Sequence, residues 1–391
     1  RSYVGEHYRE VVNLLGGDYY VHHYGKAGET GTERMRGVGG LIDYHNTAYH
    51  DWYGGFAQTE YSTDLFSVVL SSAQSVSRYQ RQEQYNETEG DEFSKVLIFP
   101  GNAFKLGLNF NVNENLNVFF AGGQMSKAPK LGNSYLNYSN TPNTGAKNES
   151  IASMDLGVSY RSDMLDVTTT YYNNTWEDKS LTLYSSPDIY NITGLSANHS
   201  GIEIEADVRP MDLLSVDAAL SFGNWAWGKN VDATFSSDYD RTNTQDVKLY
   251  TDGLKVGFQP QTQMAFGLNL FLIEGLNVNA SFKMNDNFYA GFDPSDRVLD
   301  TDDTQQLQDA VTSVKDVVKL DAYNMMDLHL SYKMNLMGTS LLLGAHVLNA
   351  LDTEYVTYAE DQGFEDDGSN SAPKVFYGSG RQFRMSFKVN I

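Results

Sequence analysis

The sequence predicts an all-β fold: a transmembrane antiparallel β-barrel wall. Three observations carry this reading. Apolar and polar residues alternate with a period of two over most of the chain, as in strands with one apolar and one polar face. Connections between the alternating segments are short at one end and long, polar and Gly/Asn/Asp-rich at the other, as in outer-membrane barrels. The 391 residues include 26 Tyr, 20 Phe and 34 Gly but only 8 Pro, a strand-rich composition with many aromatic anchors. A mean hydropathy of −0.43 does not oppose this, because only alternate residues of a barrel strand face lipid. No apolar run reaches the roughly 18 residues of a transmembrane helix.

Residues 1–50 read as an outside loop with room for one more strand, and residues 51–391 as barrel wall. A first strand pair straddles Thr63-Asp64. Phe104, Leu106, Leu108, Phe110 and Val112 alternate with polar residues and turn at Asn113-Glu114-Asn115 into Leu116-Asn117-Val118. A long loop from Lys130 to Glu149 follows. Met154, Leu156, Val158 and Tyr160 then turn near Asp163 into Leu165, Val167, Thr169 and Tyr171. Ile202 to Val208 turns at Pro210-Met211-Asp212 into Leu214 to Leu220. Met264 to Leu272 turns at Glu274-Gly275 into Leu276 to Met284, and Met326 to Tyr332 turns near Asn335 into Leu341 to Val347. The last strand alternates Phe383, Met385, Phe387, Val389 and Ile391 with Arg384, Ser386, Lys388 and Asn390.

The count is about 13–14 strands on the period-two rule. Leu65 to Asn86 and Leu165 to Thr182 exceed the roughly ten residues that cross a bilayer. An odd count cannot close as a simple antiparallel barrel. Either residues 1–50 hold a further strand, or sequence outside this chain completes the wall. The alternative is a large soluble antiparallel protein, whose sandwich would cover the apolar face with a second sheet. One loop breaks the β rhythm: Asp303 and Gln306 resemble a capping box, and Leu307, Ala310, Val311, Val314 and Val318 have helical spacing, predicting a helix over Asp303 to Lys319.

Composition excludes several functions. With no Cys there is no disulfide framework and no thiolate metal site. A formal charge of −22 opposes electrostatic binding of nucleic acid. Residue 1 opens Arg-Ser-Tyr without the pattern of a signal peptide, so an export signal is expected to have been removed or to lie upstream. His residues are scattered, and no His-Glu-x-x-His, Walker loop or Gly-x-Ser-x-Gly occurs. The chain therefore reads as a non-enzyme. A hydrolase would need Ser or Asp beside His329 or His346.

Parity assigns an inward, polar face to Lys105, Asp155, Arg161, Glu203, Glu205, Asp207, Arg209, Asp217, Lys283, Asp327 and His329, joined by Arg384 and Lys388. These residues are candidates for a lumen wall. A solvated lining accounts for any one of them, while the mixed charges as a set fit docking against a polar partner. Asp293, Asp296, Asp300, Asp302 and Asp303, with Pro294 and Ser295 among them, offer oxygen atoms of the kind calcium takes, but without EF-hand spacing, and a solvated acidic loop accounts for them more simply. Glu365-Asp366-Asp367 reads the same way. Trp176, Trp225, Trp227, Phe288 and Tyr289 suit an interfacial belt.

Several stretches resemble motifs of TonB-dependent outer-membrane receptors. Val347-Leu348-Asn349-Ala350-Leu351-Asp352-Thr353-Glu354-Tyr355 is similar to their NNLFDKEY stretch, and Tyr377-Gly378-Ser379-Gly380-Arg381-Gln382-Phe383 to the Y-G-x-G-R-x-F that opens the last strand. Asn148-Glu149 with Met154 to Arg161 resembles KPE…ELGxxYR, and Ser126-Lys127-Ala128-Pro129 resembles S-x-A-P. Leu14-Leu15-Gly16-Gly17-Asp18-Tyr19-Tyr20 looks like the DLLGGDYY loop of receptors from the Bacteroidota. Each motif is weak alone; their order and spacing make the match specific. Members most often end in Phe, whereas this chain ends in Ile391.

The resemblance implies a barrel of about twenty-two strands with an N-terminal plug inside. It implies a TonB box on the plug, pulled by the inner-membrane motor, and nutrient import across the bacterial outer membrane. This chain shows no plug-like segment, so its counterpart would be the C-terminal part of a receptor with its C-terminus in the periplasm. Phe383, Met385, Phe387, Val389 and Ile391 would be its barrel-assembly signal. Implied partners are the N-terminal half with its plug, TonB through that plug, and membrane lipid; no cofactor is implied. A structural barrel subunit in a complex with surface lipoproteins is the rival reading, followed by a passive channel.

Overall fold

The computed structural model describes residues 1–391 apart from 13–16, 18, 22–24, 27, 86–89, 186–187, 238–239, 299–315, 337–338, 362–371 and 391. Its strands begin with β1 (Ser2–Glu10), β2 (Tyr19–Tyr20), β3 (Met35–Arg36), β4 (Leu41–Ser62), β5 (Phe66–Glu83), β6 (Leu97–Asn111) and β7 (Leu116–Lys127). Next come β8 (Glu149–Arg161), β9 (Leu165–Ser185), β10 (Asp188–Met211), β11 (Leu214–Trp227), β12 (Val231–Ser237), β13 (Asp240–Leu249), β14 (Thr262–Ile273) and β15 (Leu276–Asp286). The chain finishes with β16 (Phe288–Tyr289), β17 (Lys319–Leu320), β18 (Tyr323–Leu336), β19 (Thr339–Leu348), β20 (Val356–Glu360), β21 (Lys374–Tyr377) and β22 (Gln382–Asn390). One antiparallel up-and-down sheet runs β1-β4-β5-β6-β7-β8-β9-β10-β11-β14-β15-β18-β19-β22, and β12 and β13 extend it from β10.

Directly opposed residues of an antiparallel pair share a face, so the register carries the alternation across the sheet. One row is Leu108, Phe120, Leu156, Tyr171, Ile202 and Phe222. Another is Val208, Val216, Leu268, Ala280, Leu328, Val347 and Phe383. Protein does not cover these side chains: Leu156 is 50 % exposed and Phe383 is 76 % exposed. A sandwich would have buried them, and a soluble surface rarely carries so continuous an apolar face. This is the lipid-facing pattern of a barrel wall.

Short turns gather at one end. At the first, Thr63 N donates to Phe66 O at 2.8 Å, and Phe66 N donates to Thr63 Oγ1 at 3.1 Å. Gly275 closes β14 to β15 at φ 82°, and a Cβ there would come 2.1 Å from Lys333 O. That backbone demands glycine. The other end carries the long connections, with one exception to the expected rhythm. β9 and β10 are joined within two residues, but the strands themselves, 21 and 24 residues long, reach far beyond the wall. Their tips pack with β12 and β13 around Tyr190, Ile192, Leu195, Val231, Ala233 and Leu249. A second cluster joins Phe288, Ala290, Leu320 and Ala359 from neighbouring loops. The helix expected over Asp303 to Lys319 falls mostly outside the described residues; Lys319 itself lies in β17.

Candidate functional site

Register places the predicted inward residues on one face. A single cross-strand row holds Arg161, Asp166, Asp207, Asp217, Gly267, Ser281 and Asp327. Glu205 and Lys283 belong to the adjacent row, and Glu203 and Asp155 to the rows beyond. Lys105 opposes Gly123, which opposes Ser153, two residues from Asp155 on the same face. His329 opposes Asn279 and His346, and His346 opposes Arg384. Arg209 sits at the register irregularity before the turn.

The structure brings some of these together. Near the short turns Arg161 Nε donates to Asp166 Oδ2 at 2.7 Å, and Asp207 and Arg209 line the same depression. Three aspartates on adjacent strands repel when directly opposed, so these arginines offset a cost built into the row. Asn269 Nδ2 also donates to Asp217 Oδ1 at 3.3 Å. Glu203, Glu205 and Lys283 border one groove. Lys105 and Asp155 stand apart from both groups. The Nδ1 atoms of His329 and His346 are 2.9 Å apart, and His346 Nε2 is 3.2 Å from Ser386 Oγ. This hydrogen-bonded chain puts a serine beside His346 on the open wall.

The motif after β19 has a mechanical role. Asn349 N donates to Asp327 Oδ1 at 2.8 Å, and Asn349 Nδ2 donates to Thr353 O and Ser379 O. Arg381 N donates to Asp352 Oδ1 at 2.9 Å. Both ends of the last long loop are thereby tied to β18. In β22, Phe383, Met385, Phe387 and Val389 are all exposed on the apolar face, while Ile391 lies outside the described residues.

At the long-loop end the polar face opens into a cavity of about 800 Å³. Its wall side carries His7, Ala48, Arg81 and Glu83; Ala48 opposes Arg81, and Asn46 opposes both His7 and Glu83. Arg81 pairs with Glu83 at 2.8 Å and Arg9 pairs with Asp43 at 2.8 Å. The Arg9 guanidinium lies 5.5 Å above the Tyr44 ring. The β7–β8 loop folds back as the other side. Tyr79 Oη donates to Pro129 O at 2.9 Å, and Ser94 Oγ donates to the Oη of buried Tyr135 at 3.0 Å. Beyond it Tyr138 and Tyr184 reach the cavity with half their surface open. Sequence reasoning missed this pocket. Arg81 and Glu83 share the parity of Ser71 in β5, so extending the alternation past the bilayer zone would have found them. Tyr135 and Tyr138 sit in a loop that carries no periodic signal.

Among the described residues no group of three or more His, Asp or Glu could hold a metal ion. Asp300, Asp302, Asp303 and Glu365-Asp366-Asp367 lie outside those residues. In the described part of that loop, Ser295 N and Oγ both donate to Asp293 Oδ1. Burial pushes the Asp296 carboxyl above the usual carboxylate range, with Asp293 and Asp361 adding and Arg297 opposing. Arg297 and Asp361 form a buried pair at 3.1 Å that clasps this loop to the one after β19.

A family model described as TonB dependent receptor-like, beta-barrel matches residues 2–350. Among solved structures, the siderophore receptor PiuA from Acinetobacter baumannii aligns with a TM-score of 0.62 at 13 % identity, covering 89 % of this chain and 44 % of that one. The ferric citrate transporter FecA in its unliganded form gives 0.62 at 12 %, covering 90 % and 47 %. The ferric yersiniabactin uptake receptor FyuA from Yersinia pestis gives 0.55 at 14 %, covering 89 % and 47 %. The chain thus spans about half the length of these receptors, and the likeness is one of fold. Nothing matches among curated protein sequences.

Proposed function

Because the chain belongs to the TonB-dependent receptor-like β-barrel family, we propose that it is wall and outer cap of an outer-membrane receptor that captures a scarce nutrient and imports it with TonB-coupled energy. The supporting observation is the pairing of an uncovered apolar face with a polar face that ends in a roomy outer pocket. In this reading the apolar face meets lipid and the polar face lines the lumen. Lys105, Asp155, Arg161, Glu203, Glu205, Asp207, Arg209, Asp217, Lys283, Asp327 and His329 then confront a plug, through which TonB acts. Residues 51–391 are wall and cap, and residues 1–50 add β1, an outside loop and the first part of β4. Short turns and the C-terminus face the periplasm, and the apolar residues of β22 serve barrel assembly.

Two experiments test this. The sequence lacks Cys, so single-cysteine variants give a clean reading of sidedness. In intact cells an impermeant maleimide should label Asn140→Cys in the β7–β8 loop and spare Asn113→Cys in the β6–β7 turn until the membrane is opened. The reverse pattern rejects the orientation. For import, growth on the limiting nutrient should fall equally on deleting this gene or TonB. Growth unaffected by TonB loss rejects energy-coupled transport.

A further inference from the structure

One row of the inward face breaks its polar character. It runs from Phe56 in β4 through Met125, Ile151 and Trp176 to Trp227 in β11, with alanine at each intervening place. Ala103 of this row stands two residues from Lys105 in β6, so the row faces inward. Trp176 and Trp227 thus face the lumen side rather than the interfacial belt expected from the sequence. The rows on either side are polar. Toward the short turns lie Gln58, Ser71, Lys105 and Ser153, and toward the long loops Ser75, Lys127 and Glu149. We propose that the apolar row is the seal of the lumen, the band on which an apolar rim of the plug packs; this rests on the import reading above, which supplies the plug.

The chain already covers one end of the row. Ala197 is 5 % exposed, Trp227 meets Phe292 edge-on at 5.7 Å, and Lys179 Nζ lies 4.1 Å from the centre of the Trp176 ring. At the other end Phe56 is 83 % exposed, and the half-open Trp52 ring leans over Gly54 toward it. The open part therefore continues an interface that is already packed. Its length argues for the occupant. From β4 to β9 the row crosses adjacent strands over roughly 24 Å. A small solute touches only a few residues of such a band, whereas a body as wide as the lumen touches all of it. The receptors matched above carry more than half their length beyond the part this chain covers, which is room for that body. A seal also requires apolar contact. Polar surfaces meet through trapped water, and a hydrated seam passes ions. An apolar seam expels water, and an ion entering it loses hydration that nothing replaces.

The test uses the full receptor. The photoreactive residue p-benzoylphenylalanine, placed at Phe56, should crosslink to peptides of the plug on irradiation of intact cells. Crosslinks to lipid, or only to loops of this chain, overturn the proposal. In planar bilayers Phe56→Ser combined with Met125→Gln should raise the resting conductance of the purified receptor roughly tenfold. Gln58→Ser, in the polar row beside it, should leave that conductance unchanged. A leak that does not rise in the double variant, or that rises equally with Gln58→Ser, also overturns the proposal. The crosslink decides the matter even where the double variant assembles poorly, because it keeps an aromatic ring at an exposed position. No crosslink in cells whose growth still depends on TonB removes the seal and keeps the import reading. A crosslink and a leak in cells indifferent to TonB keep the seal and remove energy-coupled import.

Discussion

The wall and the cap at its long-loop end solve the same problem in opposite ways. In the wall, Leu156, Phe266, Leu268 and Leu330 stand uncovered at 38–50 % exposure. Their burial must come from outside the protein, from lipid chains. In the cap, Ile189, Ile192, Leu195, Leu249 and Ala290 are at 0 %, closed off by neighbouring strands and loops of the chain itself. The cap has a core in the ordinary sense; the wall has two surfaces. Stability in the wall is thus set by backbone ladders and the surrounding solvent, and stability in the cap by packing and by the few charges it encloses.

The largest test of this division is Arg297→Ala. It leaves Asp361, with a side chain 2 % exposed, as a buried carboxylate without its cation. Breaking such a pair typically costs about 3–5 kcal/mol. The cost should fall on the cap alone. Limited proteolysis should cut the loops after β15 and β19, while the barrel keeps its heat-modifiable mobility on a gel. Loss of both together would show that cap and wall are one cooperative unit.

Leu268→Arg attacks the other region and should cost about 2–4 kcal/mol at the midplane of a bilayer. Leu268 lies between Val216 and Ala280 on the apolar face. Its neighbour Asn269 points to the polar face, where it accepts a hydrogen bond from Asn279 Nδ2 at 2.9 Å. Asn269→Arg should assemble normally, with Asp217 at hand for the new cation. Equal amounts of folded barrel from the two variants would reverse or abolish the assignment of faces.

A smaller loss is expected inside the wall from Gly157→Val. The Phe119 ring lies across this glycine, and a Cβ there would meet it at 2.1 Å. Overpacking of this kind costs about 1–3 kcal/mol. The companion change Phe119→Ala should recover much of it. Urea denaturation of the double variant in micelles checks this; no recovery would mean the strain lies in the backbone.

The two regions also differ in how far the sequence reveals them. Wall strands were legible because lipid imposes a strict period of two, as in Phe383 to Val389, and because turns such as Glu274-Gly275 carry their own chemistry. The same period set Arg161, Asp207, Asp217 and Asp327 on one face before their row was visible. Register was not legible. Nothing in the chain announces that Asp166, Asp207 and Asp217 become direct neighbours, because alignment between strands depends on turn geometry summed along the sheet. The cap was illegible for a related reason. Arg297 meets Asp361 across 64 residues, and Tyr135 meets Ser94 across 41, contacts that follow no period.

The smallest effect isolates electrostatics in the cap. Burial, Asp293 and Asp361 raise the folded-state pKa of Asp296 above its ordinary value, despite Arg297. The folded cap therefore holds this proton more tightly than the open loop does. By linkage, stability is greatest below the ordinary carboxylate pKa and declines as pH rises through the raised value. Above that value the charged carboxyl of Asp296 opposes closure of the loop. Asp296→Asn removes that opposition and keeps the shape. Hydrogen exchange at Tyr250 N, which donates to Arg297 O at 3.0 Å beside this site, should be slower in the variant at pH 7 and should match the parent at pH 3. Slower exchange at both pH values would place the gain in packing, and the cap would then owe nothing to the charge it encloses at Asp296.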